Sequence, residues 1–196
     1  IVPRTGGGDG YLRADDLNPN TNGVRAIWKT EPGQKLPEIL GDIRDGRVRV
    51  VLALGENLLK LGLEKAHLEK LTCLVSSHVL ANATAELSHV VLPGATYAEK
   101  RGSMINVTGR LQRLGKAINS PGDARDDWEI LRDLILATSG TNGIHAVDDV
   151  FKQMAGEIEL FQGHTLRGIG ELGVQVMETQ EKVPVLERER ERKAKG

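Results

Sequence analysis

Three short apolar runs constrain this chain more than any other feature. They are RVRVVLAL at residues 47–54, LTCLVS at 71–76 and VVL at 90–92. The first changes from alternating to continuously apolar, the pattern of an interior strand of a parallel sheet. A helical pattern with Leu61 and Leu68 on related turns separates the first two runs, and a shorter one over 82–88 separates the second and third. Strand, helix, strand, helix, strand in that order predicts an α/β fold: a Rossmann-like parallel sheet with right-handed crossovers, flanked by helices.

The flanking segments are read from punctuation and period. Residues 1–34 carry GGGDG and NPNTNG, loop and turn chemistry that predicts an irregular segment continuing an upstream domain. A short helix is predicted over 35–44, with Pro37 in its first turn and Gly46 past its end. Residues 93–120 form a long, mostly polar excursion, and loops of that length in a compact domain are usually functional or pinned. A helix is predicted over 126–138, with Asp126 as N-cap, Trp128, Leu131, Leu134 and Ile135 on its apolar side, and Gly140 closing it. Val147, Val150, Phe151 and Met154 repeat at helical spacing, and LERERERKAKG ends the chain as an alternating charge run. The division expected is 1–34, an α/β domain over 35–140, and a helical extension with charged tail over 141–196.

Composition removes several classes of function. With 26 basic against 27 acidic residues, nothing draws the chain to nucleic acid. No apolar run approaches the roughly 20 residues of a membrane span, so no direct membrane insertion is expected. The one cysteine, Cys73, excludes an internal disulfide or a cysteine-held cluster within these residues, and its apolar neighbours predict a buried, inert thiol. The chain opens on Ile1 and reads as a piece of something longer.

Two strand ends offer chemistry. Gly55-Glu56-Asn57 follows the first run, where open α/β sheets bind ligands through free backbone N–H groups and side chains. Glu56 can accept hydrogen bonds from a base or sugar, and Asn57 can give and accept. The competing reading is a tight turn that needs a small residue. There is no G-x-G-x-x-G and no P-loop lysine. The second run ends in Ser76-Ser77-His78. Neighbours in a strand point to opposite faces, and no G-x-S-x-G elbow is present, so structural or pocket-lining roles outweigh a hydrolase. No histidine has metal spacing.

The stretch VVLPGATYAEKRGSMINVTGRLQR, followed by KAINSPGDARDDWEIL and preceded by GEN at 55–57, resembles the molybdopterin-oxidoreductase superfamily across about residues 47–140. Within it, YAEKRGSMINVTGRLQR and FKQMAGEIELFQGHTLRGIGELGVQV are most similar to the large iron–sulfur subunit of bacterial NADH–quinone oxidoreductase (complex I), although Thr108 stands where that pattern has an acid. The resemblance implies a pterin-dinucleotide pocket formed by Gly55, Glu56 and Asn57, by Ser76 and Ser77, and by Thr96 and Asp127. Catalytic members offer Gln-Asp where this chain has Ser76-Ser77, and serine cannot present a carboxylate to a guanine edge. The pocket is therefore expected to be inherited and vacant, with no catalytic residue, no metal ligand and no cofactor in these residues.

The function so implied is a scaffold module of the electron-transfer arm of an oxidoreductase. Its iron–sulfur clusters would lie in an N-terminal part outside these residues, and its partners would be other subunits of the complex I peripheral arm. Its place would be the cytoplasmic side of the inner membrane, peripherally attached. The alternative is a catalytic-subunit fragment of a molybdenum formate dehydrogenase, which would bind molybdopterin guanine dinucleotide. A second alternative is a stand-alone nucleotide-binding module.

Overall fold

The computed structural model describes residues 2–9, 14–29, 31, 33–140, 143–178, 191–192 and 194. The chain forms two compact units. One joins Gln34–Arg101 to Gly115–His145, and the other joins Ile1–Gly33, Gly102–Leu114 and Ala146–Gly196. These units cut across the contiguous division into 1–34, 35–140 and 141–196.

The first unit contains α2 (Leu36–Arg44), β1 (Val50–Leu54), a 3₁₀ turn (Leu58–Leu61), α3 (Lys65–Leu68), β2 (Cys73–His78), α4 (Ala83–Glu86), β3 (Val90–Pro93) and α5 (Asp127–Ser139). The strands form the parallel sheet expected, in the order β1-β2-β3, with Leu52 opposite Val75 and Val75 opposite Val90. One face is covered. Ala53 and Leu74 pack with Leu40, Ile43, Leu58, Leu63, Leu68 and Leu71 in a single core. Burying a leucine side chain stabilises by about 1.5–3 kcal/mol, and this cluster holds the sheet to α2 and α3.

On the other face Val50 remains 64 % exposed and Leu52 44 %. The strand order also makes β1 an edge strand of the described sheet rather than the interior strand expected, and β2 is central. The helix expected around Leu61 and Leu68 is also divided. Gly62 takes φ +88 at the end of the 3₁₀ turn, where a left-handed residue stops propagation. Glu64 restarts the chain as α3, its backbone N–H donating to His67 Nδ1 at 2.9 Å. Cys73 is half-buried rather than buried. In α5 the buried residue is Ile130, whereas Ile135 and Leu136 are exposed and Trp128 is half-buried under the Arg132 guanidinium.

The second unit departs furthest from expectation. Residues 21–28 of the segment read as irregular form α1 (Thr21–Trp28). The polar excursion contains an antiparallel hairpin, β4 (Gly102–Ile105) and β5 (Arg110–Leu114), and the extension adds a third strand, β6 (Val174–Gln175). The extension also contains α6 (Val147–Glu157) and a 3₁₀ turn (Glu159–Phe161). Ile105, Leu111, Phe151, Phe161, Leu166 and Ile169 make its core. The asparagine-rich loop proves to be a set of pins. Asn20 Oδ1 accepts from Ile105 N at 2.8 Å, and Asn22 Nδ2 donates to the Asn106 carbonyl at 2.8 Å. The run LERERERKAKG lies mostly outside the described residues. Among the described residues no helix is long and apolar enough to cross a membrane.

Candidate functional site

The carboxyl edge of the parallel sheet gathers three loops around the end of β2. The Gly55 N–H donates to the Ser77 carbonyl at 2.7 Å, tying the loop after β1 to this edge. The Gly94 N–H donates to the His78 carbonyl at 3.0 Å, tying the loop after β3 on the other side. Gly94 also bridges to Arg125, and the Ala95 N–H donates to the Arg125 carbonyl at 2.8 Å, which brings the start of α5 alongside. Gly55 takes φ +70, and a Cβ built there meets nothing within 4 Å, so the turn presents bare backbone to open space.

Two buried polar atoms at this edge have no hydrogen-bond partner among the described residues: Ser77 Oγ and His78 Nε2, in residues 2 % and 7 % exposed. A Cβ at Gly94 would lie 3.0 Å from Ser77 Oγ and 3.8 Å from Asp127 Oδ1, so the missing side chain lets these groups approach one another. Burial lowers the His78 pKa from the ordinary imidazole value, and the Glu56 carboxylate partly opposes it. Lys100 forms an ion pair with Asp127 Oδ2 at 2.5 Å. A hydroxyl, a buried imidazole, two carboxylates and an open glycine turn suit a polar ligand that presents both donors and acceptors.

The expected residues divide in their placement. Gly55 and Ser77 meet through the backbone, and Ser77 and Asp127 flank Gly94. Glu56 lies near enough to His78 to act on its charge. Asn57 is turned to local use, its Oδ1 accepting from Leu59 N, Lys60 N and Thr84 Oγ1. Ser76 is fully buried and shares a hydrogen bond with Ser88. The Thr96 N–H donates to the buried Glu99 carboxylate at 2.9 Å. Asp126, expected as a side-chain cap, instead accepts from Arg101 N at 3.0 Å and Trp128 Nε1 at 3.3 Å.

Sequence reasoning named His78 with Ser76 and Ser77 as structural or pocket-lining but left it out of the dinucleotide set, and it passed over Gly94. The signal for both was their position, immediately after the strand residues already singled out.

The fully buried Thr84 hydroxyl fixes the shape of the first loop. It accepts from Leu58 N at 2.8 Å and donates to Asn57 Oδ1 at 3.2 Å. Thr84→Val is expected to cost about 1–3 kcal/mol, because a buried N–H loses its partner. Urea unfolding with unchanged slope measures this, and an unshifted midpoint would show that the turn pairs elsewhere.

The family model for molybdopterin oxidoreductases matches residues 17–137, more than half of the chain. The chain belongs to the molybdopterin oxidoreductase family. F420-dependent formate dehydrogenase subunit alpha of Methanocaldococcus jannaschii is 31 % identical over 158 residues, covering 78 % of this chain and 22 % of that protein. NADPH-Fe(3+) oxidoreductase subunit alpha of Geobacter sulfurreducens is 34 % identical over 127 residues, covering 63 % and 15 %. The chain thus spans less than a quarter of the length of these relatives, 22 % of one and 15 % of the other. Among solved structures, acetylene hydratase from Pelobacter acetylenicus matches with TM-score 0.56 at 12 % identity, covering 84 % of this chain and 25 % of that one. That likeness shows the fold. The names of these relatives are those of formate dehydrogenase and NADPH-Fe(3+) oxidoreductase alpha subunits.

Proposed function

We propose that this chain is a segment of the alpha-type catalytic subunit of a formate-dehydrogenase-like molybdopterin oxidoreductase, whose carboxyl sheet edge holds a pterin guanine dinucleotide. The 31 % identity over 158 residues to a formate dehydrogenase alpha subunit carries this reading. The buried, partnerless Ser77 and His78 atoms support it, because a polar ligand would pair them. Bound there, the group would supply a molybdenum centre for two-electron redox chemistry.

This chain's own work is to bind and orient. The open Gly55 turn would let backbone approach the ligand closely. Ser77 would give or accept one hydrogen bond, and the Asp127 carboxylate would accept from a base N–H, the role that serine in the Gln-Asp place cannot fill. Asn57 and Thr84 would keep the loop in shape. Iron–sulfur clusters and partner subunits belong to this reading only through the rest of the polypeptide.

The test is made on the full-length protein. Molybdenum and pterin are measured per polypeptide, and formate-dependent dye reduction is compared with NADH–quinone turnover. Near-stoichiometric pterin with formate turnover is expected. NADH–quinone turnover without pterin would restore the complex I reading.

A further inference from the structure

We infer that the start of α1 is a binding site for one small neutral molecule of water's size, recognised by the Thr21 hydroxyl, the first-turn N–H groups and the Asp16 carboxylate. The site lies in the second unit, among residues that the pterin reading does not use. α1 begins after Asn20, a residue type whose side chain usually accepts from the second or third helical N–H. Here it does not cap. Asn20 Oδ1 accepts instead from Ile105 N at 2.8 Å, joining the helix to the hairpin. The first intrahelical bond runs from Val24 N to the Asn20 carbonyl at 3.1 Å. The N–H groups of Thr21, Asn22 and Gly23 find no partner among the described residues, although all three residues are buried. A buried helix start needs a side chain, a ligand or water for these donors.

The second observation is a hydroxyl at the same place. Thr21 Oγ1 is buried with no hydrogen-bond partner among the described residues, in a residue 8 % exposed. Thr21 lines a small cleft with Asp16, Asn18, Asn22, Ile105 and Val107, with room for about one water molecule.

The charges around the cleft select the ligand. Asp16 Oδ1 accepts from Asn18 N at 2.9 Å, and the carboxylate in the lining repels an anion. The positive end of the α1 dipole repels a cation. Asn22 is already committed, its Nδ2 donating to the Asn106 carbonyl. A neutral molecule that both donates and accepts suits what is left. It accepts from the N–H groups or the hydroxyl and donates to the carboxylate.

The test uses the full-length protein. Crystals of wild type should show one isolated density peak at about 2.6–3.2 Å from Thr21 Oγ1. The peak should give no anomalous signal after soaking in bromide or in rubidium. Thr21→Ser should keep the peak and Thr21→Val should lose it. In solution, deuterium exchange at residues 24–28 should be about fivefold faster or more in Thr21→Val, the effect of about 1 kcal/mol, with Thr21→Ser close to wild type.

Exchange unchanged or slower in Thr21→Val would mean that the hydroxyl is only packed, since a methyl group there relieves an unpaired polar group. Bromide or rubidium in the cleft would put an ion where the neutral molecule is expected. A side chain from elsewhere in the polypeptide, or no density beside Thr21, would remove the site. Each of these results overturns the inference.

Discussion

Leu74→Ala is expected to cost about 2–5 kcal/mol, among the largest single losses available to the sheet-bearing unit. Leu74 is fully buried near the start of the central strand, and it belongs to the cluster that includes Leu40, Ile43, Ala53 and Leu68. Truncation leaves a cavity bounded on one side by the sheet, which cannot collapse without bending β2. The cost is therefore expected toward the upper part of that range. Two residues along the same strand lies Ser76, and Ser77 and His78 follow at the candidate site. A cavity at Leu74 should thus lower urea resistance and loosen the strand end together. Chemical denaturation gives the first and amide exchange at residues 75–78 the second. A midpoint within error of wild type would mean that α2 and α3 do not rest on this strand.

The second large effect is expected from Gly109→Ala in the hairpin turn. Gly109 has φ +79, and a Cβ there would collide with the carbonyl oxygen of Met177. The left-handed conformation alone costs a non-glycine residue about 1–3 kcal/mol. Displacing backbone that cannot rotate away adds about 1–3 kcal/mol more, as overpacking does. The glycine carbonyl also receives Val176 N at 3.1 Å and Met177 N at 3.3 Å, so moving it weakens the join to β6. Thermal unfolding should shift down clearly, with loss of protection at 174–177. An unchanged melting midpoint would show that this close approach is absent in solution.

The parallel sheet is legible in the sequence because each strand is a dense apolar run flanked by turn residues. The hairpin is not. Its buried positions, Ile105 and Leu111, are isolated apolar residues among Ser103, Asn106, Thr108, Arg110 and Gln112. The strand is held by Asn106, whose side chain accepts from Thr108 N and Arg110 N, and this turn chemistry has no apolar period to betray it. α1 is hidden for a similar reason. Its first turn, Thr21-Asn22-Gly23, reads as loop, yet all three residues are buried. The edge position of β1 could not be read either, since an apolar run does not say how many neighbours cover it.

At the candidate site, the loops were legible and the roles of individual side chains were not. Strand-end position and the family resemblance place Asn57 and Ser76 beside a ligand edge, but hydrogen bonds from Thr84 and from Ser88 draw both into local structure. These are partners 27 and 12 residues away, which no local pattern reveals. His78 closes the second run in sequence, and register makes it the last β2 residue paired to β3.

The interleaving of the two units sets an order on synthesis. A ribosome completes the sheet-bearing unit once residue 145 is made and clear of the exit tunnel. The hairpin 102–114 is by then already out, but α6 and β6 are not. β5 must wait about sixty residues for Val174 to pair with Leu111. In that interval the apolar side of the hairpin has no partner from its own unit, so the nascent chain carries its exposure to chaperones and to premature association there rather than at the sheet. Pausing translation between residues 115 and 174 would lengthen that interval without touching the folded protein.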